Sequence, residues 1–211
     1  MFLIWFGSTD DERPPAPERR RLATAALWRL SFLAYRNAIP MSSADVTYLP
    51  ETPAHDPEID ILNDEAFGPG RFSRAAYRIR EGGPHDRALS FVALKDGAVI
   101  ASVRMTPIAA GAGRAHMLGP LAVCPAYKNL GIGRRLVAIA LEAAAKAGAP
   151  AVMLVGDEPY YGPLGFARIP NGQLTFPRPV DLNRVLAHEI APGAVRKLAG
   201  EVCHAAQAHN G

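Results

Sequence analysis

A strand, a glycine-rich turn, a helix and a second strand follow one another between Leu118 and Val155, and this run constrains the fold more than any other. "LAV" and "AVMLV" are short apolar strand segments. Between them lies the turn "CPAYKNLGIG" and a helix from about Asn129 to Ala147, ended by Gly148 and Pro150. Two strands joined by a helix over roughly thirty residues make a right-handed parallel crossover. The helix interior, "LVAIALEAAAKA", is apolar almost all round, which suits a helix packed on a sheet. "AVMLV" is continuously apolar and reads as a central, buried strand.

The flanking sequence extends this core into a mixed α/β domain. "VTYLP" reads as a short strand, "PEIDILNDEAFG" as a helix and "SRAAYRIREGG" as a second short helix ending at Gly82-Gly83. "LSFVALKDGAVIASVRMTPI" reads as a hairpin, its two β-rich runs meeting at Asp96-Gly97. "RAHMLGPLAVCP" is a further strand, and its interior Gly119-Pro120 implies a bulge or a strand pulled off its neighbour, because proline cannot donate to a ladder. "GQLTF" reads as a last strand, and "RPVDLNRVLAHEI" as a closing helix.

Residues 1–40 differ from the rest. "MFLIWF" is far shorter than the roughly 20 residues a bilayer span needs, "DDERPPAPERRR" has the composition of a disordered segment, and Arg29 interrupts the apolar run of "LATAALWRLSFLAYRN". Both tryptophans, Trp5 and Trp28, fall here. We therefore expect a poorly ordered extension over residues 1–40 and the working domain over 41–211. A net charge of +3 on 211 residues argues neither for nucleic acid nor for an anionic membrane surface. Two cysteines, Cys124 and Cys203, form no disulfide framework and fit a reducing, cytoplasmic setting. The tail "CHAAQAHNG" collects Cys203, His204 and His209, but a terminus of this kind reads as frayed, and we expect no metal site.

The chemistry concentrates at the start of the crossover helix. The first N–H groups of a helix have no internal acceptor, and the helix dipole favours an anion beside them. Gly131 and Gly133 remove side chains that would hold an anion away, while Lys128, Arg134 and Arg135 add positive charge. Phosphate or pyrophosphate is the ligand class. A dinucleotide fingerprint is excluded because Leu136 stands where its third glycine belongs, and a P-loop because Gly-Lys-Ser/Thr is absent.

"KNLGIG" resembles the pyrophosphate motif Q/R-x-x-G-x-G/A of the GNAT superfamily of acetyl-CoA-dependent N-acetyltransferases. "LGPLAVCPAYKNLGIGRRLVAIALEAA" resembles that family's strand, turn and helix, and "YYGPLGF" its later tyrosine-to-Gly-Phe element. The resemblance runs from about Val46 to Phe176. One departure is Lys128 in the usual Gln/Arg position, which keeps a cation but loses planar bidentate geometry. The resemblance implies a mostly antiparallel, twisted sheet with a central splayed parallel pair and flanking helices. It also implies acetyl-CoA as co-substrate, held by Leu121, Ala122 and Val123 along the strand and by Lys128, Asn129, Leu130, Gly131, Ile132, Gly133 and Arg134 at the turn. The Val123 N–H would face the thioester carbonyl. The acceptor would be a primary amine of a small molecule or protein, and the molecule a monomer or a dimer associated through edge strands.

Transfer to an amine raises two proton problems. A lysine-like amine, of pKa about 10.4, is neutral in only roughly one molecule in 2,500 at pH 7, and the departing thiolate must be protonated or stabilised. By the family's spacing, Tyr161, four residues before Gly165-Phe166, is the acid, with Tyr160 as the fallback. No base is legible: His116, Glu65, Asp157 and Glu158 are candidates, a water chain to a distant carboxylate would serve equally, and none is singled out. Arg71, Arg74 and Arg178 are available to an acidic acceptor but suit a solvated surface better. Two readings remain beside an acetyltransferase: the same fold using another acyl-CoA, and a non-catalytic acyl-CoA-binding module.

Overall fold

The computed structural model describes residues 45–70 and 75–208. The extension and its two tryptophans, Arg71, Arg74 and His209 lie outside the described residues. The elements run β1 (Thr47–Pro50), α1 (Asp56–Phe67), α2 (Ala75–Arg80), β2 (Asp86–Lys95), β3 (Ala98–Ala110), β4 (Gly113–Val123), α3 (Ile132–Lys146), β5 (Ala151–Val155), α4 (Glu158–Tyr161), β6 (Ala167–Arg168), β7 (Leu174–Thr175), β8 (Val185–Glu189), α5 (Ala194–Lys197) and β9 (Gly200–His204).

The sheet is ordered β1-β2-β3-β4-β5-β8-β6, and β9 joins β3 and β7. Along this order β4 and β5 are parallel, and the other neighbours are antiparallel. This is the mixed, mostly antiparallel sheet expected from the sequence. The β2–β3 hairpin turns at Asp96 and Gly97, whose φ values of 51° and 81° suit the tight left-handed turn that Asp-Gly favours. Val99–Val103 are buried without a break, so both faces of the central sheet are covered. α1 packs over β3 and β4, and α3 over β2 and β3.

The crossover helix α3 begins at Ile132, later than the sequence suggests, because Asn129 and Gly131 take positive φ values of 64° and 78° that a helix cannot contain. It is also less uniformly apolar than its composition implies. Leu136, Val137, Ala140 and Ala144 are buried, while Arg134, Arg135, Glu142 and Lys146 stay in solvent.

The C-terminal third departs from expectation. "RPVDLNRVLAHEI" is not a helix: a short 3-10 turn at Leu182–Arg184 leads into β8, which covers the edge of β5. The pairing buries Val185, Leu186 and Ala187, and this outweighs helix propensities worth only tenths of a kcal/mol per residue. "GQLTF" supplies β7, but two strands follow it. Nor is the described part of the tail, up to residue 208, frayed: Cys203 and His204 belong to β9, paired with Ala109 and Ile108 of β3. A core cluster including Ile108, Met117, Met153, Leu174, Leu198 and Val202 ties these late strands to the crossover.

Candidate active site

The site forms where β4 and β5 part. They pair only through His116 with Val152 and Met117 with Met153. Beyond that point β5 continues against β8, while β4 continues against β3 to Val123. The bulge expected at Gly119-Pro120 is present. Between Leu118 and Leu121 the β4 chain uses one residue more than β3 does between Met105 and Val103. The Cys124 N–H donates to the Ile100 carbonyl at 2.8 Å, pointing toward β3. Strand residues alternate, so the Ala122 amide also points to β3, whereas Leu121 and Val123 present theirs on the β5 side.

The start of α3 closes against this strand. The Arg135 N–H makes the first intrahelical bond, to Gly131 O at 3.0 Å, so the amides of Ile132, Gly133 and Arg134 precede the ladder. A Cβ on Gly133 would stand 2.7 Å from the Tyr160 hydroxyl and 3.3 Å from Val123 Cγ2. Glycine at 133 thus lets the tyrosine, the helix start and β4 converge. The Arg134 guanidinium lies 5.3 Å from the Tyr160 ring centroid, a cation–π contact. Lys128 and Asn129 are exposed on the turn, and Leu130 is half-buried. The residues marked out by the glycine motif and those of "LAV" are therefore brought together, and this convergence of free amides, cations and open strand edge fits a phosphate-bearing thioester.

The two tyrosines have different surroundings. Tyr161 lines a cavity of about 750 Å³ that also touches Asn63, Tyr77, His85, Arg104 and Leu121, whereas Tyr160 is turned to the helix start. The rings pack edge to face, centroids 4.8 Å apart, and Tyr161 packs similarly on Phe166. Burial pushes the Tyr161 phenol up to about 12, with Tyr160 and Asp157 adding to the shift and Arg184 opposing it. Tyr161 is thus neutral, and a donor, at any ordinary pH.

Two residues of the cavity wall, His85 and Arg104, belong to a charged cluster that the sequence did not reveal. The Glu51 side chain is wholly buried, and its Oε1 accepts from His85 Nε2 at 2.8 Å and from Arg87 at 2.8 Å. Arg104 donates to both carboxylate oxygens, Nε to Oε2 at 3.0 Å and NH2 to Oε1 at 2.9 Å. Arg87 and Arg104 also reach Asp56, each at 2.7 Å. Burial alone would push the Glu51 carboxyl up; the hydrogen bonds and charges of His85 and Arg104 outweigh it, and the carboxyl sits below its usual range. Arg87 holds Asp56 low in the same way. Glu51 and His85 are 34 residues apart in the chain, and no local pattern links them.

None of the four base candidates borders the cavity. His116 lies near Asp86, its pKa lowered by burial, and Asp157 and Glu158 pair with Arg184 and Arg168. Glu65 is exposed on α1, and Arg178 is exposed and also away from the cavity. Among the described residues no group of three His, Cys, Asp or Glu side chains is arranged to hold a metal. No described helix is long and apolar enough to cross a membrane.

The profile of the Acetyltransferase (GNAT) family matches residues 57–166. The uncharacterized N-acetyltransferase YhbS of Escherichia coli K12 is 29% identical over 155 residues, 72% of this chain and 92% of YhbS. The crystal structure of the E. coli GNAT family N-acetyltransferase YhbS in complex with CoA superposes with a TM-score of 0.66 at 26% identity, covering 79% of this chain and 93% of that one. A GNAT family acetyltransferase from Brucella melitensis in complex with acetyl-CoA gives 0.57 at 27% identity, covering 76% and 97%. The match spans the bulged strand, the glycine turn, the crossover helix and the Tyr-to-Gly-Phe element that build the site: this chain belongs to the GNAT family of N-acetyltransferases and is an acyltransferase.

Proposed function

We propose that the protein transfers the acetyl group of acetyl-CoA to a primary amine held in the cavity between α1, α2 and β4. One observation carries the reading: the gap opened by β4 and β5 meets, at Tyr161, a cavity with room for an acceptor. The family and its CoA-bound and acetyl-CoA-bound relatives support the choice of co-substrate.

Each residue then has a task. The amides of Gly131 to Arg134, with Lys128 and Arg134, neutralise the pyrophosphate. The β5-side backbone groups of Leu121 and Val123 hold the pantetheine arm. The Val123 N–H faces the thioester carbonyl, where one such donor in a dry site is worth about 2.7–4 kcal/mol of transition-state stabilisation. Tyr161 donates to the departing sulfur. With the phenol at about 12 and a thiol near 8.5, complete proton transfer costs roughly 5 kcal/mol at 1.36 kcal/mol per unit. Tyr161 therefore acts chiefly by hydrogen-bonding the thiolate as charge grows, completing the transfer as the products part.

The test is release of free thiol from acetyl-CoA by the full-length protein, with spermidine, lysine amide and a peptide with a free N-terminus. Amine-dependent release with N-acetylated product supports the reading. Binding of acetyl-CoA without release on any acceptor favours the non-catalytic module, and a marked preference for a longer acyl-CoA overturns the choice of acetyl donor.

A further inference from the structure

We infer that His85 is the general base that deprotonates the acceptor amine, oriented by Glu51. The assignment rests on the acetyl-transfer reading above and supplies the one role that reading leaves unfilled.

His85 lies on the cavity wall with Tyr161, Leu121 and Arg104, and its side chain keeps 19% of its surface exposed. A carboxylate only accepts hydrogen bonds, so the 2.8 Å contact with Glu51 fixes the proton of a neutral His85 on Nε2. Nδ1 is then the basic atom, and no other protein group among the described residues is bonded to it. This is the arrangement of a base oriented by a carboxylate. Glu51 is held in place by Arg87 and Arg104, and both guanidiniums are shared with Asp56, so the carboxylate stays ionised at working pH.

The backbone at His85 is fixed separately. His204 of β9 accepts from the Ala206 N–H through Nδ1 at 3.0 Å, so its Nε2 carries the proton and donates to the Pro84 carbonyl at 3.0 Å. Gly82 and Gly83 lie flat on His204, where any Cβ would collide with its side chain. Ring and backbone of the segment are thus located by two different partners, and such double support is what a positioned base requires.

The step balances as follows. Nδ1 takes one proton from the acceptor ammonium and becomes imidazolium, which later releases it to solvent. The neutral nitrogen attacks the thioester carbon; the C–N bond forms, and the C–S bond breaks with its electron pair on sulfur. The sulfur gains a proton from Tyr161, and the nitrogen's second proton restores the phenol. An amide, a thiol and one released proton result. The charged groups that line the cavity with His85 are Asp60, Arg80, Glu81, Arg104, Asp181 and Arg184, and behind the ring stands Glu51, whose partners Arg87 and Arg104 are shared with Asp56.

His85→Gln is the discriminating variant, because its amide can still donate to Glu51 but has no basic nitrogen. With the full-length protein and the best amine of the panel, kcat/KM near neutral pH is expected to fall about 10²–10⁴-fold, with acetyl-CoA affinity unchanged. The loss shrinks as pH approaches the amine's own pKa, where no base is needed, and free imidazole restores part of the turnover of His85→Ala. A purely structural role would move neither the pH profile nor the imidazole response. If His85→Gln matches wild type across the pH range, the assignment falls and the acetyltransferase reading stands. If wild type binds acetyl-CoA but releases thiol with no amine, both fall together.

Discussion

Tyr160 and Gly133 are fitted to one another: a Cβ on residue 133 would lie 2.7 Å from the tyrosine hydroxyl oxygen. The glycine motif is thus spaced for a side chain of the protein as well as for a ligand. Gly133→Val is expected to leave the fold intact by circular dichroism and to weaken acetyl-CoA binding at least tenfold in calorimetry. Gly133→Ala does the same more mildly, since Val123 Cγ2 at 3.3 Å can give a little. Adding Tyr160→Phe to Gly133→Ala removes the closest atom. Recovery in the double variant assigns the loss to a displaced tyrosine, and no recovery assigns it to the ligand.

The crossover, the Asp96-Gly97 hairpin and the bulge at Gly119-Pro120 were legible because each is a local event: a period, a turn pair, a missing donor. β8 was not, because "VLAHE" has no strand periodicity of its own and is a strand only where β5 offers an edge. The site divides along the same line. Residues Leu121 to Arg134 and Tyr161 sit in contiguous motifs, and the sequence marks them. Glu51, His85 and Arg104 come from three separate segments, and their partnership exists only after the sheet forms. "GGPH" carried a signal in its paired glycines, which read as a helix stop but are required by the close approach of His204.

Tyr161→Phe is expected to lower turnover at least tenfold and to keep acetyl-CoA affinity, since the ring contacts with Tyr160 and Phe166 survive the loss of the hydroxyl. Unchanged turnover rejects Tyr161 as the acid. The substitution also has a signature in stability. The phenol is raised in the fold from 10.0 to about 12, so its contribution is complete below pH 10 and is lost as pH rises toward 12. Melting temperatures measured between pH 9 and 11 should fall more steeply for wild type than for Tyr161→Phe.

The buried cluster sets the acid limit of the fold. Glu51 and Asp56 both have folded-state pKa values below their ordinary 4.5 and 3.8. Their stabilisation is therefore full above about pH 4.5 and decays as pH falls through the lower folded values. Glu51→Gln leaves the guanidiniums of Arg87 and Arg104 with Asp56 as their remaining counter-charge and should cost about 1–3 kcal/mol at pH 7. Urea unfolding at pH 7 and pH 4 checks both points. The variant should be less stable than wild type at pH 7, with the gap narrowing at pH 4. An equal gap at the two pH values would show that the carboxylate's charge is not what stabilises the cluster.

We propose, finally, that residues 41–211 fold and work without the preceding forty. The family profile begins at residue 57, and every residue given a part here lies between Glu51 and Ala206. β1 is an edge strand that pairs only with β2 among the described residues, and it already supplies Glu51 at its end. A protein beginning at Met41 should therefore keep the Glu51–His85 bond, the cavity and the helix start. It is expected to be soluble, to bind acetyl-CoA within about twofold of the full chain, and to show the same amine-dependent thiol release. A truncated protein that is insoluble, or folded but inactive, would place residues 1–40 within the working unit.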